Sequence, residues 1–170
     1  MIKTNTRDYA VSAFMMYAKS DKIKSNTLKD LLRTARREYL DYTANEKHSK
    51  IKARKLRQNV SSIRRLFLDV YAVEKALYSK TDERSVLIAK TVEAVYFHLG
   101  KYGNKKGRIS SLVTRCSFDL NISTTTVYKY LEEASESFCE HRGLRRDDDE
   151  VLKIISALKN PAKEKISCRV

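Results

Sequence analysis

From Ser49 to Ser79 the chain runs thirty-one residues without a glycine or a proline, and apolar side chains return at every third or fourth position: Leu56, Val60, Ile63, Phe67, Val70 and Leu77, with Glu74 in the same register. Only a helix repeats with that period, since a strand would alternate every second residue. The stretch therefore predicts one long helix, and the rest of the chain must accommodate it. The whole sequence holds four Gly, one Pro and no Trp, so the turn punctuation that an all-β fold requires is missing. At 170 residues there is room for one compact core, or a small core with a helical extension, but not for two large domains. The expected class is all-α: an N-terminal helical bundle with a long basic helix over 1–80, a helix-turn-helix region over 81–146, and a C-terminal helix and tail over 147–170.

Further helices follow from the same periodicity. Tyr9, Ala10, Ala13, Phe14 and Tyr17, widened by Met15 and Met16, predict an amphipathic or largely buried helix over 5–20. Leu28, Leu31, Leu32, Ala35 and Tyr39 predict another, opened by side-chain capping within Ser25-Asn26-Thr27. Ile88, Val92, Val95, Tyr96 and Leu99 form the face of a helix over 82–99, with Thr81 as its cap and Gly100 as the left-handed residue that ends it. Lys101 to Arg108, with two glycines and four basic residues, reads as a turn or loop. Asp147 with Glu150 is a capping-box pattern before Val151, Leu152, Ile154, Ile155 and Leu158; Pro161 stops that helix, and a frayed tail is expected beyond.

Thirty-five basic against twenty-one acidic side chains leave a net charge of +14, a field that favours phosphate backbones or anionic surfaces. Residues 1–80 carry 19 basic and 8 acidic groups, whereas 81–146 carry 11 and 8, and 147–170 carry 5 and 5. The electrostatic footprint lies in the N-terminal half. No apolar run approaches the roughly eighteen residues that span a bilayer, and Met1 to Thr4 opens no signal peptide, so a soluble cytoplasmic protein with no membrane partner is expected. Cys116, Cys139 and Cys168 lack the spacing of a zinc site or a disulfide framework and read as reduced thiols.

Residues 109–134 match a more specific pattern. Two helices that meet at a steep angle need a small residue in the first, a left-handed residue in the turn, and apolar contacts on both sides. With Asn121 as the left-handed residue, Ser117 falls four before it, Leu120 and Ile122 flank it, and Val127 and Tyr130 sit six and nine after it. Asn is the best stand-in for Gly in that conformation. Ile109, Leu112, Val113 and Cys116 would form the buried side of the first helix, and Ser123 would cap the second, with Thr126 at its third position. Thr124, Thr125, Tyr128 and Lys129 would then be offered to the major groove as base readers, while Arg115, Lys105, Lys106 and Arg108 grip phosphates.

At these residues, and above all in Asn121-Ile-Ser-Thr-Thr-Thr-Val-Tyr128 and the run on to Gly143, the segment resembles region four of sigma-70-type factors and phage late-gene regulators of the ArpU and RinA type. The resemblance covers about residues 85–143 and implies a DNA-reading helix at about 123–138. Before it stand only some 80 helical residues, with no aromatic cluster suggestive of strand melting, where a complete sigma factor has its polymerase-binding and promoter-melting regions. A phage or mobile-element regulator fits better.

A second basic feature runs from Glu46 to Arg65 and holds Lys47, Lys50, Lys52, Arg54, Lys55, Arg57, Arg64 and Arg65. On a helix, Lys50, Arg54, Arg57 and Arg64 share one broad face, a phosphate rail or else a solvated surface. Of the ten tyrosines, Tyr9, Tyr17, Tyr39, Tyr71 and Tyr96 lie on apolar stripes and read as core; Tyr102 and Tyr128 are candidate contacts. Nothing converges as a catalytic set. His48, His98 and His141 stand in unrelated segments, Asp147 to Glu150 suits a helix N-terminus, and the Gly103 to Gly107 loop lacks a phosphate-loop ending. The expected function is a non-enzymatic, sequence-specific transcriptional regulator that binds double-stranded DNA without a cofactor or metal. RNA polymerase, another host nucleic-acid-binding protein and a second copy of the chain stand open as partners. Two other readings compete: a phage-encoded interaction module that inhibits a host nucleic-acid enzyme, and an RNA-binding protein.

Overall fold

The long periodic stretch folds as one helix, α3 (Lys50–Tyr78), 29 residues without a break. The computed structural model describes residues 4–21, 23–45, 49–103 and 107–144, and every regular element among them is helical. The others are α1 (Thr4–Lys19), α2 (Ser25–Thr43), α4 (Glu83–Val92), a π-helical segment (Glu93–Phe97) that runs directly into α5 (His98–Tyr102), α6 (Arg108–Asp119) and α7 (Thr124–Arg142). The protein is all-α, as expected. The helix expected after Asp147, the tail with Cys168, Lys47, and the loop residues Lys105 and Lys106 lie outside the described residues.

α3 has two environments. Val70, Ala72, Val73 and Leu77 are buried, whereas between Lys50 and Asp69 no residue is fully buried. Over that first part its partner is α2, which lays Leu32 and Ala35 against it, while Leu28 joins the core cluster with Val70 and Val73. The two helices run antiparallel: Ser25, at the start of α2, bonds Glu74, and Lys52 sits 4.7 Å from the centre of the Tyr42 ring near the other end. They form a two-helix arm of about 30 Å, at 1.5 Å per residue. The capping expected inside Ser25-Asn26-Thr27 is not made. Lys24 occupies the cap position without a side-chain bond, and the Glu74 carboxylate accepts from the Ser25 amide (3.1 Å) and from its hydroxyl. A carboxylate brought in from α3 satisfies the free amide and also suits the positive end of the helix.

The core forms around α7, whose Leu131, Ala134, Ser135, Phe138 and Cys139 are buried against α1, α3 and α4. α1 lies over α5, the π segment and α7 and buries Ala10, Phe14, Tyr17 and Ala18. Phe14 stacks on Tyr96 at 6.0 Å and meets Phe138 at a tilt, 5.6 Å away, while Tyr17 meets Phe97 at 5.7 Å. One apolar cluster joins Ala10, Val73 and Cys139, so the core is shared across the expected boundary at residue 80. Asp69 adds a polar tie between three helices. Its carboxylate accepts from the Tyr9 hydroxyl at 2.8 Å and pairs with Arg142 Nε at 2.5 Å.

Two expectations about the fourth helix are corrected. Asp82, not Thr81, is its cap, and accepts from the Ser85 amide at 3.0 Å. Gly100 does not end it. The chain stays helical to Tyr102, and the positive φ falls at Gly103 (79°). Gly100 is needed for close approach instead: a Cβ there would lie 2.4 Å from the Met15 carbonyl oxygen and 3.0 Å from Met15 Cα, so α1 can settle on α5 only over a bare backbone. The π turn serves the same packing. Val95, Tyr96 and Phe97 are all buried, because α1 covers one side of this rod and α6 another.

Buried hydroxyls are paired locally, Thr91 with the Leu87 carbonyl at 2.7 Å and Ser135 with that of Leu131 at 2.8 Å. The Tyr17 hydroxyl, on a residue only 2% exposed, has no hydrogen-bond partner among the described residues. Burial, together with the charges of Glu74 and Glu93, pushes this phenol from 10.0 up to about 12. Tyr17→Phe should therefore be neutral or raise stability by up to about 1 kcal/mol at pH 7, measured by urea unfolding. A folded pKa above the unfolded one gives a contribution that is complete below pH 10 and lost between pH 10 and about 12. The advantage of Tyr17→Phe over wild type should widen through that window. Gly100→Ala should cost about 1–3 kcal/mol in the same assay, because backbone rather than a movable side chain occupies the space.

Candidate nucleic-acid interface

The connection between α6 and α7 is set by local geometry. Asn121 is left-handed (φ 51°), as the spacing predicts, and its amide bonds the Phe118 carbonyl at 3.2 Å. The Leu120 amide bonds Cys116 O at 3.0 Å and the Ile122 amide bonds Ser117 O at 3.0 Å, so the last carbonyls of α6 are satisfied inside the turn. The Ser117 hydroxyl bends back to the Thr114 carbonyl at 2.7 Å. Ser123 is extended and caps α7, accepting from the Thr126 amide at 3.0 Å, and the two hydroxyls meet at 2.8 Å.

Apolar contacts hold the pair together. Leu112, Val113, Cys116, Val127 and Leu131 are buried, and Leu120 and Ile122 pack on the same cluster. Ile109 departs from the expected buried side. It is 37% exposed, because the core takes in α6 only from Leu112 onward.

Thr124, Thr125, Tyr128 and Lys129 are all exposed on the first turns of α7, Tyr128 at 43%. Thr125 and Lys129 are four apart, as are Thr124 and Tyr128, so the four make one compact polar end. The hydroxyls of Thr124, Thr125 and Tyr128 make no hydrogen bond among the described residues, which leaves donors and acceptors for a ligand. Beyond Lys129 the outer side of α7 is acidic, with Glu132, Glu133, Glu136 and Glu140. Arg84 holds Glu133 at 2.6 Å and lies against the Tyr130 ring.

The expected phosphate contacts divide. Arg115 is exposed, with Asp119 at 3.6 Å as a weak partner. Arg108 is engaged within the protein instead. Its guanidinium donates to the Tyr102 and Gly103 carbonyls at 2.8 and 3.1 Å, tying the end of α5 to the start of α6. Lys50, Arg54, Arg57 and Arg64 are exposed along one face of the arm. Sequence reasoning passed over Lys29, Arg33 and Arg36 of α2, which line one cleft with Arg64. Their spacing of four and three, one helix face, was the available signal.

No helix among the described residues is long and apolar enough to cross a membrane. Among the same residues no group of three or more His, Cys, Asp or Glu side chains could hold a metal ion. Cys116 and Cys139 are buried, and burial pushes the Cys116 thiol pKa up. Compared with known protein families, curated proteins and solved structures, the chain has no match.

The turn is open to a direct test by equilibrium unfolding. Asn121→Ala should cost about 1–2 kcal/mol, the penalty of a Cβ in left-handed backbone without the Asn side chain's local compensation, while Asn121→Gly should stay within a few tenths. Ser123→Ala should cost about 1 kcal/mol through the lost cap.

Proposed function

We propose that this chain is a non-enzymatic, sequence-specific DNA-binding regulator of phage or mobile-element type, with the first turns of α7 as its reading end. The observation that carries this reading is the conjunction at Asn121 to Lys129. A left-handed turn and a side-chain cap present Thr124, Thr125, Tyr128 and Lys129 together, on a helix whose remaining length is locked in the core. A helix presented end-first with free hydroxyls, a phenol and an ammonium suits base edges and phosphates in a major groove. The likeness to sigma-70 region four and to ArpU- and RinA-type regulators belongs to the same proposal.

Charge supports a division of labour. With four glutamates on its outer side, α7 adds little attraction for phosphate, whereas Lys50, Arg54, Arg57 and Arg64 share one exposed face of the arm. Affinity for the backbone then comes from the arm and selectivity from α7.

Selection from random duplexes should enrich a defined sequence. Thr125→Ala with Tyr128→Phe should abolish the enrichment while the thermal unfolding profile stays close to wild type. Arg54→Gln with Arg57→Gln should weaken all duplexes alike and lower the slope of log K against log salt by about 1 for each lost phosphate contact. A selection that enriches nothing overturns the proposal.

A further inference from the structure

On α2, Lys29, Arg33 and Arg36 line a cleft whose facing wall is Arg64 of α3, and whose floor is Leu32, Phe67 and Leu68. The cleft is about 320 Å³, at the lower end of the range for small-molecule sites. Among the described residues no carboxylate lines it. Arg33 has an exposed partner in Asp30 at 3.2 Å, while Lys29, Arg36 and Arg64 form no ion pair among the described residues. Four cations drawn from two helices onto one apolar floor repel one another, and an anion seated between them removes that repulsion.

The floor narrows the choice of anion. A duplex could bring phosphates to the rim, but its bases are stacked away from the protein and would leave the floor uncovered. An unpaired base fills it: its flat face rests on the ring of Phe67 and the side chains of Leu32 and Leu68 while the adjoining phosphates meet the guanidinium groups. The surroundings favour a strand over a free nucleotide. From Arg64 the exposed cations continue along α3 through Arg57 and Arg54 to Lys50, about 21 Å of helix at 1.5 Å per residue, which a polyanion can follow and a mononucleotide cannot.

We propose that the α2–α3 cleft binds one nucleotide of a single-stranded nucleic acid, with its phosphate among Lys29, Arg33, Arg36 and Arg64 and its base on the floor around Phe67. This site is separate from the reading end of α7 and does not require that reading to hold.

The test uses the full chain and fluorescence anisotropy at 150 mM salt with labelled fifteen-nucleotide oligo(dT) and oligo(U). Competitors are an unlabelled random duplex of equal length and the mononucleotides TMP and UMP. Arg36→Gln with Arg64→Gln should weaken either oligonucleotide at least tenfold, and Phe67→Leu about fivefold, because leucine keeps the apolar volume but removes the flat face. Thr125→Ala with Tyr128→Phe should leave oligonucleotide binding unchanged, so loss of duplex selection and loss of strand binding are separately visible. Circular dichroism and thermal melting establish that each variant is folded; the Arg36 and Arg64 changes lie at exposed positions and carry the test if Phe67→Leu melts early. Three results overturn the proposal: wild-type strand affinity in the arginine variant, random-duplex affinity weakened by Phe67→Leu as much as strand affinity is, or mononucleotide binding as tight as that of the oligonucleotide.

Discussion

From Leu131 to Cys139, α7 is enclosed by α1, α3 and α4, and the position of nearly every other element depends on that enclosure. Phe138 lies against both Phe14 and Tyr9. Phe138 and Leu131 are essentially fully buried, and side chains of that size contribute about 1.5–3 kcal/mol each. A shift of α7 along or about its axis would expose them and break the Asp69–Arg142 pair at its far end. The first turns therefore project from a fixed base. Their side chains are free while their backbone is not, the condition under which a few polar groups can discriminate among ligands without a large ordering cost.

What was legible in the sequence divides by range. The left-handed turn at Asn121 and the cap at Ser123 were readable because each depends on residues within four or five positions and on backbone chemistry that few residue types satisfy. α3 was readable because thirty-one residues of unbroken period admit no other element. Gly100 was misread because a glycine that ends a helix and a glycine that lets another helix touch its backbone look alike until Met15 is placed beside it. The α2 cap was misread for the same kind of reason: Glu74 is 49 residues from Ser25, and a local scan offers Asn26 and Thr27 first. Arg108 has the composition of a phosphate contact and the geometry of a loop staple. The cationic cleft required knowing which face of α2 meets which face of α3, a register fixed by Leu28, Leu32 and Ala35 only once the helices pair.

The arm stands in a different energetic position from the core. Between Lys50 and Asp69 α3 has no fully buried side chain, and with Ser25 and Leu28 at the core end, α2 buries only Leu32 and Ala35 against this stretch. Over the same stretch α3 carries seven basic residues and only Asp69 among acids, and Asp69 is already engaged with Arg142 and Tyr9. Little apolar burial and much like charge set the local stability of the arm below that of the core. The Glu74 bonds at the start of α2 and the packing of Val70 to Leu77 fasten it at one end only.

Salt then acts on the arm in two opposed ways. By screening, it relieves the repulsion among Lys29, Arg33, Arg36 and Arg64 and so favours the paired helices. It also weakens the attraction of any phosphate for the same groups, through the lost release of counterions. A bound phosphate neutralises the cations and stays in place, so ligand and ionic strength are alternatives in stabilising the hairpin rather than additive. The core, whose polar ties are few and partly buried, feels neither strongly. The uncompensated charge that lowers the stability of the arm is thus the same property that would couple its order to an anion seated there, and α7, fixed by apolar burial, would be left free of that coupling.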